Sequence, residues 1–208
     1  MVVEPAADRA YAVTKELVLT GELPGGHLFS EGEIAERLGI SRTPVREAFL
    51  RLQAEDLLTL IPKRGAVVVP VPPGEAEDVL DAREAIETAA VRRLAARGGI
   101  EKAVERLRAA LVVQEGHAER DDLAAFAEAD ESFHRAIVEA GGNKLTMRFY
   151  VTLADRQRRM SMHALGPGPT PYEVVLTDHL GLLRKVEQAD VPGFGVALRE
   201  HLDRTHRQ

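Results

Sequence analysis

Three histidines and one aspartate in the C-terminal half of this chain have the types and spacing of a metal site. Within FAEADESFHRAIVEAGGN, Asp130 and His134 are four residues apart. On a helix they project from one face, where a carboxylate and an imidazole can chelate one ion. Ala127, Phe133, Ala136, Ile137 and Ala140 supply apolar surroundings. His179 in VVLTDHLGLL and His201 in VALREHLD each interrupt an otherwise apolar helical pattern, where an unpaired imidazole is costly to bury. The set suits a divalent ion, zinc first, with nickel and manganese as alternatives. The bland reading of any single histidine is a partly exposed or hydrogen-bonded side chain, and His27, His117, His163 and His206 are read that way. An open site of this composition can also activate water, with Glu131 and Glu173 as conceivable bases, so a metalloenzyme is the competing function. No H-E-x-x-H pattern supports it.

The second chemical signature is positive charge at the start of a helix. In GISRTPVREAFLRLQAEDLL, residues 39–58, Val45, Ala48, Phe49 and Leu52 line one side and leave Arg42, Thr43 and Arg46 facing outward. Arginine can donate two hydrogen bonds to guanine or clamp a phosphate, and threonine can donate to phosphate or touch a thymine methyl. Lys63 and Arg64 follow at the tip of a hairpin and can reach the flanking backbone or minor groove, with Gly65 allowing close approach. The alternative is an exposed helix face whose arginines pair with Glu47 or Glu55, an arrangement worth little.

These residues need elements to hold them. Ala10, Val13 and Leu17 have helical spacing, and TGELPGG ends that first helix near Leu19. Ser30 followed by Glu33 reads as a capping box for a short second helix that Gly39 ends. Ser41 or Thr43 can cap the third helix, with Pro44 in its first turn. LLTLI and AVVVPV, joined by PKRG, read as a β-hairpin. Three helices and a hairpin form a winged helix-turn-helix, whose third helix enters the major groove of double-stranded DNA. The PVPPG stretch can continue neither a helix nor a central strand. The expected organisation is therefore a DNA-binding domain over residues 1–70, a linker over 71–74 and an all-α helical bundle over 75–208, mainly α in total. Breaks at RGGI, ERDD, GGNK, LGPGPTP and ADVPG divide the bundle into six amphipathic segments.

The run LTGELPGGHLFSEGEIAERLGISRTPVREAFLRLQAEDLLTLIPKRGAVVVPV resembles the DNA-binding domain of GntR-family bacterial transcription regulators. The resemblance implies DNA contacts from Arg42, Thr43 and Arg46, assisted by the wing around Gly65. Gly32 stands where many members carry an arginine, Leu50 where a polar or basic residue is frequent, and Asp56 where a glycine usually ends the helix. Asp56 can take the left-handed conformation that glycine would. The order DESFH, GGNKL, TDHLGLL and ALREHL is similar to the FCD effector domain of the FadR subfamily, whose metal-binding members use an Asp-x-x-x-His pair and two later histidines. That resemblance implies a metal ion anchoring a small organic acid. It also implies a role for Arg83, either as a fork on the acid's carboxylate or in a structural pair with Glu84 or Glu87. Asn143 either faces the effector pocket or serves a helix end and start.

Composition sets the outer bounds. The 208 residues carry a formal net charge of −6, which argues against a protein that coats nucleic acid indiscriminately. Aromatics are only 4% and cysteine is absent, so packing is aliphatic and any metal is held by His and carboxylate. Without cysteine, signal-peptide pattern or membrane-length apolar run, the cytoplasm is the expected compartment. The sequence-based expectation is a ligand-responsive repressor that binds a pseudo-palindromic operator as a homodimer. A regulator that senses the metal itself is the closest variant of this reading.

Overall fold

The computed structural model describes residues 5–72, 74–165 and 171–206, apart from the side chains of His163 and Leu165. The chain divides into two compact units, Met1–Pro73 and Gly74–Gln208. Within the first, helices α1 (Ala6–Leu19), α2 (Glu31–Leu38) and α3 (Arg42–Ala54) pack against strands β1 (Leu28–Phe29), β2 (Leu58–Ile61) and β3 (Gly65–Val68). The strands form an antiparallel sheet in the order β1-β3-β2. Ala10, Leu17, Phe29, Val45, Phe49, Leu52, Leu58 and Val68 make its core, in which the Phe29 and Phe49 rings meet edge-on at 5.2 Å.

Local chemistry sets these boundaries. Ser30 and Glu33 form the expected reciprocal capping box, and Gly39 ends α2 in the left-handed conformation. Asp56, with φ 58°, takes the left-handed conformation after α3. The start of α3 differs from expectation. Ser41 occupies the N-cap position, but its hydroxyl makes no cap hydrogen bond, and Thr43 lies inside the helix. An N-cap oxygen bonds the N–H of the second or third helical residue, and the third here is Pro44, which has none.

The second unit contains α4 (Glu75–Arg97), α5 (Ile100–Glu119), α6 (Leu123–Ala140), α7 (Lys144–Val151), α8 (Ala154–Leu165), α9 (Tyr172–Glu187) and α10 (Val191–His206). Leu107, Leu111, Phe133, Ile137, Leu182, Phe194, Leu198 and Leu202 are among the residues that fill its core. The break expected in LGPGPTP falls largely on residues 166–170, which lie outside the described residues, as does Pro73 of the linker. One break was not expected, and it makes seven helices among the described residues where six segments were read. No glycine or proline marks it. Thr152 and Leu153 close α7 with tight bonds to the Phe149 and Tyr150 carbonyls, and the Thr152 hydroxyl adds a 2.6 Å bond to the Phe149 carbonyl. A side chain that bonds the preceding turn competes with continuation of the helix. At the other end of α6, a Cβ on Gly141 would lie 2.8–2.9 Å from three atoms of Ala90. Glycine there lets α6 approach α4 closely, which brings His134 to Glu87.

Candidate metal centre and nucleic-acid surface

Asp130 and His134 project from α6, His179 from α9 and His201 from α10, and all four are buried. One ligand atom from each lies within 4.8 Å of all the others. The His134 Nε2 is 3.2 Å from both the His179 and the His201 Nε2, and the His179 Nε2 is 3.4 Å from Asp130 Oδ1.

The outward nitrogens explain why the inner ones are available. His134 Nδ1 meets Glu87 Oε2 at 2.8 Å, His179 Nδ1 meets Gln114 Oε1 at 2.8 Å, and His201 Nδ1 faces Asp178 Oδ2 at 3.4 Å. Each of these oxygens accepts, so a proton held on Nδ1 leaves the Nε2 lone pair of that ring facing inward. Three lone pairs and a carboxylate oxygen converging in a buried space repel one another unless a cation sits among them. The donor set therefore fits a divalent metal ion, and the outer acceptors are the partners that orient metal-bound histidines. Burial first, then the nearby Arg83 charge, holds the His134 imidazole well below its usual pKa. Burial first, with His201, His134 and Arg83, does the same to His179. Both rings are neutral, as ligands must be.

Arg83 on α4 is also buried. Its Nε donates to Glu87 Oε1 at 3.1 Å, so the expected pairing with Glu87 is present, whereas Glu84 pairs with Arg199. The Arg83 Nη2 is buried without a hydrogen-bond partner. Burial alone would lower the Arg83 pKa, but Tyr150, Glu87 and Asp130 outweigh it, so the guanidinium stays charged. A cation with a spare donor beside a cation site suits an anion that shares the site with the metal. Asn143 differs: it is exposed, and its side chain accepts from the Leu145 and Thr146 N–H groups as the N-cap of α7. That is the helix-start role.

In the first unit Arg42, Thr43, Arg46, Lys63 and Arg64 are all exposed. None of the four cations pairs with a carboxylate among the described residues, and Glu55 is instead held by Tyr11 and Lys15. The Arg42 guanidinium lies over Gly32, where a Cβ would be 3.3 Å from its Nη2. Gly65 has a reason internal to the sheet. Its φ is 120°, and a Cβ would fall 2.1 Å from the Phe29 carbonyl oxygen. The space left by its missing side chain is filled by β1.

Residues 6–68 match the model for bacterial regulatory proteins of the gntR family, and residues 78–204 match the FCD domain. The chain belongs to the GntR family. A GntR-family chain of this composition is a DNA-binding transcription regulator, and the metalloenzyme alternative falls with that assignment. Among its relatives is an HTH-type transcriptional regulator from an unstable DNA locus of Streptomyces ambofaciens, 33% identical over 92% of this chain and 80% of that protein. The HTH-type transcriptional repressor RspR of Escherichia coli K12 is 29% identical over 96% of this chain and 86% of its own length. The solved structure of E. coli McbR/YncC shares the fold, with a TM-score of 0.76 and 22% identity over 97% of this chain and 95% of that one.

Sequence reasoning missed several residues of this GntR-family site. Glu87 was visible only as a partner for Arg83, yet it accepts from Arg83, from His134 and from the Tyr150 hydroxyl at 2.8 Å. Gln114, Asp178 and Ser161, whose hydroxyl lies 3.2 Å from Asp130 Oδ2, were not singled out. Gln114 left a faint signal, an amide in the apolar run ALVVQ. Among the histidines read as bland, His27 is exposed and His117 accepts from Arg120, but the buried Nδ1 of His206 has no partner.

Proposed function

We propose that this protein is a cytoplasmic repressor that binds a pseudo-palindromic operator as a homodimer and is controlled by a small carboxylate held at a divalent metal ion. The ion, zinc first with nickel and manganese as alternatives, is held by Asp130, His134, His179 and His201. When bound it supplies a Lewis-acid anchor for the effector's carboxylate. Arg83 offers its unpartnered Nη2 to the same carboxylate. Asn143 is left out of the effector set because its side chain caps α7. Arg42, Thr43 and Arg46 read the operator, Lys63 and Arg64 hold its flanking backbone, and Gly65 shapes the wing. Two winged units on two half-sites are needed because one reads too few base pairs for genomic specificity. The effector acts by binding more tightly to one of two states that differ in operator affinity.

The observation that carries this reading is the convergence of three Nε2 atoms and a carboxylate oxygen, each imidazole backed at Nδ1 by an acceptor. The test is a thermal-shift series on chelator-stripped protein, reloaded with zinc, nickel or manganese and then given small carboxylates. A ligand specific to the folded state at 100 times its Kd adds about 2.7 kcal/mol. The expected result is stabilisation by metal, and further stabilisation by an acid only when metal is present. Asp130→Ala should abolish both. No shift with any metal would overturn the metal centre. Operator binding that follows metal alone, with no acid effective, would make the metal itself the signal.

A further inference from the structure

Leu50 on α3 is 52% exposed, although Val45, Ala48, Phe49 and Leu52 of the same helix are buried in the core. A single exposed leucine is ordinary in itself. Its place on the helix is what sets it apart. At 3.6 residues per turn, Thr43, Glu47 and Leu50 fall on one line opposite the buried face, and all three are exposed. Arg42 and Arg46 run along one edge of that line.

Charge decides what this line can face. It carries no cation, and the Glu47 carboxylate would repel a phosphate, so the line suits base edges while the arginines at its edge supply the positive charge. The charged side chains just beyond Leu50 are drawn back toward α1. Arg51 donates to Asp8 at 2.6 Å with its guanidinium 3.9 Å over the Tyr11 ring, and Glu55 accepts from Tyr11 at 2.6 Å and from Lys15 at 2.8 Å. A base pair opposite Leu50 therefore meets a hydrocarbon tip. The groups displayed in the major groove are donors and acceptors, which lose water against leucine without gaining a partner, except the C5-methyl of thymine.

Resting on the operator-facing role proposed above for Arg42, Thr43 and Arg46, we infer that Leu50 is a further specificity residue, which packs on the C5-methyl of one thymine in each operator half-site. Thr43 and Leu50 are two helical turns apart, about 10 Å along the axis, or about three base-pair steps of B-DNA. The thymine read by Leu50 is thus a different base from any that Thr43 touches.

Deoxyuridine differs from thymidine only by that methyl, which makes the test direct. Selection from randomised duplexes on the full-length protein supplies an operator. Fluorescence anisotropy then compares duplexes in which each thymine in turn, at both symmetry-related places, is replaced by deoxyuridine. Loss of one buried methyl weakens binding about fourfold, and about fifteenfold when both half-sites lose it. At one position the wild type should show that loss, and Leu50→Ala and Leu50→Gln should reduce it to within about twofold. Both variants change an exposed side chain, and circular dichroism reports their fold. A loss that survives both variants, or that disappears only in Thr43→Ser, overturns the role of Leu50. So does the absence of any methyl-sensitive thymine; if Arg46→Ala still weakens binding to the same operator, the reading surface stands without Leu50. Failure to enrich any sequence, or Arg46→Ala binding as tightly as wild type with no thymine methyl-sensitive, overturns the reading surface and Leu50 together.

Discussion

Replacing Glu87 with glutamine keeps the shape of the side chain and removes the acceptor on which the candidate metal centre depends. Glu87 accepts from Arg83 Nε at 3.1 Å, from the Tyr150 hydroxyl at 2.8 Å and from His134 Nδ1 at 2.8 Å. All three partners are donors, and a glutamine supplies one oxygen and one NH2 group. If the amide oxygen turns to His134, the NH2 group faces Arg83 and Tyr150. If it turns the other way, the NH2 group faces His134, whose ring then moves its proton to Nε2 and loses the lone pair aimed into the candidate metal centre. Loss of an outer partner of this kind typically lowers metal affinity 10- to 100-fold, equivalent to about 1.4–2.7 kcal/mol. The folded apo protein loses about 3–5 kcal/mol besides, because the buried Arg83 charge is left without its carboxylate. Zinc competition against a chromophoric chelator, beside a denaturant titration of the stripped protein, measures both quantities. A well-folded Glu87→Gln protein that binds zinc within twofold of wild type would refute the idea that Glu87 fixes the His134 tautomer.

Three further outcomes follow from the geometry. Arg46→Ala should weaken operator binding at least tenfold and flatten its dependence on salt, because an exposed arginine with no carboxylate partner is free for phosphate or guanine; unchanged affinity and salt slope in an electrophoretic or fluorescence assay would remove Arg46 from the reading surface. Gly65→Ala should destabilise the winged unit by about 2 kcal/mol or more in calorimetry, since a Cβ would lie 2.1 Å from the Phe29 carbonyl oxygen at a φ of 120°; a variant as stable as wild type would show that the sheet tolerates a side chain there. The metal-free protein should lose stability as pH falls below about 6.5. His134 and His179 have depressed pKa values when folded and take protons only on unfolding, which gives up to about 1.4 kcal/mol per pH unit for each. Burial raises the Glu87 and Asp130 pKa values, so protons these groups take up in the folded state partly offset that slope at lower pH. A midpoint that rises between pH 7.5 and 5.5 would contradict the assignment of neutral imidazoles.

Much of the fold was legible because its signals are local. The capping box at Ser30 and Glu33, the left-handed Gly39 and the two strands around PKRG each depend on residues a few positions apart. The boundary between α7 and α8 was hidden because a threonine hydroxyl bonding its own helix marks it, and threonines inside helices usually leave no break. The absent cap at Ser41 was hidden for a related reason: the pattern S-x-x-P looks like a helix start, but the proline removes the donor a cap would bond.

The candidate metal ligands show where the division lies. Their identity was readable because Asp130 and His134 share a helix face by spacing alone, and because His179 and His201 disturb apolar patterns that would otherwise be continuous. Their outer partners were not readable. Glu87 and His134 are 47 positions apart, Gln114 and His179 are 65 apart, and Tyr150 meets Glu87 across 63. No periodicity connects residues on different helices, so only the packing of α4, α5, α6 and α9 decides which acceptor stands behind which imidazole. By itself the sequence determined which residues could bind DNA and metal; the tertiary structure decided which of their lone pairs and donors are left free to do so, because that depends on what each buried atom meets across the core.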